Sequence, residues 1–61
     1  MMNTEGLEVL RQTLETCAKS YRSSEARYDE KGNADMSAWS AGKAQAFALA
    51  AEWLAEELAA L

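Results

Sequence analysis

Residues 36–61 hold ten alanines and no proline, and they are apolar on nearly every side of a helix. At about 100° per residue, Met36, Phe47, Leu54, Leu58 and Leu61 share one sector, and Trp39, Gly42, Ala46, Leu49 and Trp53 share its neighbour. Ala44, Ala48, Ala51, Ala55 and Ala59 make a third strip of small side chains. Only Ser37, Gln45, Glu52 and Glu56 supply a narrow polar edge, and Lys43 and Glu57 interrupt the apolar side. A surface helix carries one apolar stripe of somewhat over 100°, whereas a helix apolar all round is buried. A chain of 61 residues has nothing else large enough to cover that surface. The sequence therefore predicts that a second copy or another protein covers it.

Size sharpens the argument. A chain this short buries only about 60% of its unfolded surface, and small scaffolds need a staple: disulfides, a metal or oligomerisation. Cys17 is the only cysteine and histidine is absent, which removes an intrachain disulfide and a zinc site of the usual Cys/His type. Oligomerisation is the staple left. The start of the chain has neither the basic opening nor the apolar core of a signal peptide. The longest low-charge run, residues 44–51, is far short of the ~20 residues that cross a bilayer. With a single cysteine, these features predict a cytoplasmic protein without a membrane segment. A net charge of −4 argues against a general nucleic-acid or anionic-membrane binder.

The first half reads as a second helix. Asn3 or Thr4 can cap it, with Glu5 and Glu8 in the first turn. Leu7, Leu10, Leu14, Cys17, Tyr21, Ser24 and Tyr28 follow at alternating spacings of three and four, the period of a helix packed on one neighbour. Glu8, Arg11, Glu15, Lys19, Arg22, Glu25 and Asp29 form a charged outer face whose pairs add a few tenths of a kcal/mol each. Gly32 suits the left-handed residue that ends a helix, and Asn33 or Asp35 can cap the next. So short a connection makes the helices antiparallel. The expected fold is all-α: one helical-hairpin domain with helices over about 4–31 and 35–60 and a loop at 32–34. In that hairpin Tyr28 is expected near Trp39, Tyr21 near Gly42 and Ala46, and Leu10 and Leu14 near Trp53 and Leu54. The seam of the first helix covers one sector of the second. The other large sector and the alanine strip await a partner, which a homodimeric four-helix bundle supplies economically.

Catalysis has little to work with. There is no histidine for general-base work, no phosphate loop and no Cys-x-x-Cys, so the chain reads as a non-enzyme that calls for no cofactor. Cys17 falls on the apolar seam, where a small shielded thiol is the ordinary reading. Glu52, Glu56 and Glu57 lie close together but lack the Glu-x-x-His of bundle metal sites, and a solvated edge is preferred to a metal site. Glu5 and Glu8 fall at the same end as these three, and the bland account of that acidic pole is solvation. Gly42 costs about 1 kcal/mol against alanine inside a helix. With Ala38, Ala46 and Ala50 it makes a row over which a ring or backbone can sit. The expected oligomer or partner interface is Met36, Trp39, Gly42, Ala46, Phe47, Leu49, Ala50, Trp53, Leu54 and Leu58, because aromatic residues dominate binding hot spots.

Residues 39–54 contain Gly-Lys-Ala-x-Ala-Phe-x-x-Ala-Ala-x-Trp-Leu. This pattern resembles one in short helical proteins encoded by bacteriophages, and it covers about a quarter of the chain. The resemblance implies an accessory phage protein acting in the host cytoplasm by binding a host or defence protein. It implies no functional residues. In layout alone, a hairpin that dimerises into a four-helix bundle is also similar to the Rop family of plasmid RNA-binding regulators, the alternative reading. An RNA site needs a basic stripe, and here Arg11, Lys19 and Arg22 are interleaved with acids.

Overall fold

The computed structural model describes residues 4–61. Two helices fill it: α1, Glu5–Glu30, and α2, Ala34–Ala60. They pack antiparallel into a hairpin about 51 Å long and 11 to 14 Å across, one helix pair with no second layer. Both helices match their expected extents to within one residue at each end. Among the described residues no helix is long and apolar enough to cross a membrane.

The turn follows from local chemistry. Gly32 has φ +72°, a conformation that costs glycine nothing and any Cβ-bearing residue strain. Its N–H donates to the Asp29 carbonyl, and the Asn33 N–H donates to the Tyr28 carbonyl at 2.9 Å. Those two bonds close the last turn of α1 in a Schellman arrangement. Of the two candidate caps for α2, Asn33 takes the position, its Oδ1 accepting from the Met36 N–H at 3.1 Å, while Asp35 lies in the first turn. Thr4 occupies the N-cap of α1, but its side chain makes no capping bond; Asn3, the other candidate, lies outside the described residues.

The seam is narrower and smaller than the leucine heptad predicts. Among the described residues the buried ones are Ala18 on α1 and Ser37, Ser40, Ala44 and Ala51 on α2. Leu7, Leu14, Cys17, Tyr21, Ser24 and Tyr28 are only half-buried, and Leu10 is 48% exposed, so Leu10 leaves the expected seam. A straight helix drifts by about 20° per heptad against a strict seven-residue repeat. The line of closest approach settles instead where the side chains are smallest, at Ala18. For the same reason the alanine strip does not await a partner as a whole: Ala44 and Ala51 are buried and Ala55 half-buried against α1, leaving Ala48 and Ala59 exposed. Ser37 likewise leaves the expected polar edge. It is buried, and its hydroxyl donates to Oδ1 of Asp29 across the turn end of the hairpin.

The larger side chains sit beside this seam. Tyr21 stacks on Phe47 with ring centroids 5.6 Å apart and meets the Trp39 ring edge-on at the same separation. Trp39 thus finds its ring partner in Tyr21, nearly two turns from the expected Tyr28. The expected cover of Gly42 by Tyr21 is not formed either, since a Cβ built on Gly42 meets nothing within 4 Å. Leu14 and Leu54 are half-buried, while Leu10 and Trp53, expected to meet, are both exposed.

Ser40 is the anomaly of the seam. It has no exposed surface, and its Oγ has no hydrogen-bond partner among the described residues. A hydroxyl buried unpaired costs about 1–3 kcal/mol on protein scales. Ser40→Ala should therefore raise the unfolding free energy by about 1 kcal/mol in chemical denaturation. A destabilised variant would mean that the hydroxyl is satisfied. Ala44→Leu should do the opposite, overpacking a site with no exposed surface at a cost of ~1–3 kcal/mol.

Candidate interaction face on the second helix

On the side of α2 nearly opposite its buried line run Trp39, Gly42, Ala46, Leu49 and Trp53. Their spacings of three, four, three and four make a heptad stripe. All five are exposed: Trp39 is 50% exposed, Leu49 38% and Trp53 61%, and Gly42 and Ala46 lie open between them. The stripe is one of the two large sectors read from the sequence. The other divides differently: Met36, Phe47, Leu54 and Leu58 are half-buried along the seam, as is Ala50 at the margin between the two. The ten expected interface residues therefore separate into five that contribute to the hairpin itself, four that face outward, and Trp39, which meets Tyr21 on one side and solvent on the other.

The two flanks of the hairpin differ in character. One carries the cluster of Tyr21, Trp39 and Phe47, with Lys43 Nζ 5.6 Å from the centroid of the Trp39 ring. A cation over an exposed indole face contributes about 0.5–1 kcal/mol and holds that edge of the stripe in place. The other flank is a shallow groove of about 490 Å³ floored by Ala18, Ala48, Ala51 and Ala55 and rimmed by Glu15, Lys19, Arg22 and Glu52. Sequence reasoning missed this groove. Its only signal was the coincidence of Ala18 with the alanine strip, and helix register decides whether those alanines meet.

The charged face of α1 is largely self-neutralised. Arg11 Nε donates to Glu8 Oε1 at 3.0 Å and its Nη1 to Glu15 Oε1 at 2.7 Å, while Arg22 and Glu25 lie 3.6 Å apart. The hydrogen bond from Arg11 holds the Glu8 carboxyl below its ordinary range, and the same bond raises Arg11. Glu8 is thus a group whose folded form prefers the carboxylate. It supports the fold above the unfolded carboxylate pKa, and that support is lost as pH falls through the folded value. Among the described residues no three Cys, Asp or Glu side chains group as a metal site. Cys17 is half-buried, partly shielded as its seam position implies.

No family model, curated protein or solved structure matches the chain.

Two measurements probe this surface. Because Gly42 faces open space in the hairpin, Gly42→Ala should raise hairpin stability by up to ~1 kcal/mol from helix propensity, read at concentrations low enough to isolate the single chain. Replacing Arg11 by Gln should raise the Glu8 pKa toward the ordinary glutamate range in an NMR titration and flatten the loss of stability on acidification. An unchanged Glu8 titration would show that the Arg11 contact does not persist in solution.

Proposed function

We propose that this chain is a small non-enzymatic helical protein that assembles with itself and acts by binding another protein. The observation that carries the reading is the stripe Trp39, Gly42, Ala46, Leu49, Trp53, set on the side of α2 that α1 leaves uncovered. Tryptophan is among the residues that concentrate binding energy at interfaces, and two of them half-exposed about 21 Å apart on one helix face are costly to leave in water. The phage-like pattern at residues 39–54 falls on this stripe. It supports an accessory or anti-defence role for a phage protein in the cytoplasm of its host.

RNA is the weaker occupant. Arg11 is bound to Glu8 and Glu15, and Arg22 lies beside Glu25, so two of the four cations on α1 are answered by carboxylates within the helix. A Rop-like regulator needs unanswered cations to meet phosphates.

The test is affinity purification of the tagged chain from its native host, beside a Leu49→Ala/Trp53→Ala variant, which alters only exposed side chains of the stripe. A specific protein that co-purifies with the parent and is lost with the variant supports the reading. A salt-sensitive gel shift with structured RNA, unaffected by the variant, would replace it with the RNA reading.

A further inference from the structure

We propose that the stripe of α2 docks on the same stripe of a second copy, with the two α2 helices antiparallel. The inference rests on the self-association in the reading above and adds the surface, the occupant and the orientation. Three observations carry it.

The first is area. The chain exposes 4560 Å², whereas a compact monomer of 6.7 kDa exposes about 3900 Å². The excess, about 650 Å² per chain, approaches the ~800 Å² that each partner gives to a standard-size interface. A second hairpin laid along the stripe removes surface of this order from both copies at once.

The second is charge along the edges of the stripe. Lys43, Ala50 and Glu57 follow one edge at seven-residue intervals, and Ala38, Gln45 and Glu52 follow the other. Antiparallel pairing sets like edges against each other in opposite directions. Lys43 of each copy then meets Glu57 of the other, twice by symmetry, with Ala50 between. Parallel pairing sets unlike edges together and brings Glu52 beside Glu57 of the second copy, a like-charge contact with no compensating pair.

The third is size. Gly42 and Ala46 occupy one half of the stripe, and Leu49 and Trp53 the other. With Lys43 set against Glu57, the two α2 helices are centred on Ala50, which lays Leu49 and Trp53 of one copy, the large half of the stripe, against Trp53 and Leu49 of the other. Because the stripe is nearly opposite the seam, the four helices form a row in the order α1, α2, α2, α1 rather than a square bundle.

Sedimentation velocity over a wide concentration range, with far-ultraviolet circular dichroism to confirm intact helicity, tests the proposal. The parent should run at twice the 6.7 kDa chain mass. Lys43→Glu and Glu57→Lys should each raise the dimer dissociation constant by roughly tenfold, more at low salt. The double variant Lys43→Glu/Glu57→Lys should restore it, because the pair is re-formed with its signs exchanged. Trp53→Ala, at a side chain 61% exposed in the hairpin, should weaken the dimer without loss of helicity. A dimer indifferent to all four variants would overturn the choice of surface. A double variant as weak as the single ones would overturn the antiparallel orientation. A helical monomer at every concentration overturns the proposal; if it still captures a host protein through Trp53, the stripe's occupant is that protein and the wider interaction reading survives.

Discussion

The structure depends on the close approach of two helices over side chains no larger than serine. Ala18 on α1 and Ser37, Ser40, Ala44 and Ala51 on α2 are the residues buried between them, and side chains this small let backbones draw together as leucines would not. Burial per residue is slight, since a buried methyl or methylene contributes only about 0.8 kcal/mol. Everything larger is displaced to the sides. Tyr21, Phe47 and Trp39 pack as a cluster along one flank, and the opposite flank opens into an alanine-floored groove.

That choice of seam governs the rest of the surface. With its smallest residues spent on α1, α2 turns its second apolar stripe to the far side, where the hairpin cannot cover it. A two-helix unit has one interface and therefore one buried line per helix. A helix apolar around most of its circumference therefore keeps apolar surface exposed in the single hairpin. The unpaired Ser40 hydroxyl fits the same picture: close packing leaves room for a side chain of that size but brings no acceptor to it.

The charges behave differently from the apolar residues because their partners are local. Glu8, Arg11 and Glu15 are joined within α1 at spacings of three and four, as helix geometry requires of any such sequence. Lys43 leans over Trp39, one turn away. On α2 Glu52, Glu56 and Glu57 edge the outer stripe and the groove and are exposed.

Much of the architecture was legible from the residues alone because its causes are local. The turn at Gly32, the Asn33 cap, the two helices and the antiparallel arrangement each follow from a few neighbouring residues and the backbone they favour. That Trp39, Gly42, Ala46, Leu49 and Trp53 share one face was also readable, since sharing a face needs only the period of a helix, but not that the face turns away from α1. What the sequence could not supply was the rotation of each helix about its own axis. On α2 two sectors of large side chains competed with a strip of alanines for the seam, and all have the right spacing. Tertiary packing resolved it in favour of the smaller residues, where backbones come closest. That rotation exposed Leu10, buried Ser37 and Ser40, paired Tyr21 with Trp39 and Phe47, and uncovered Gly42, because turning a rigid helix moves every side chain on it together.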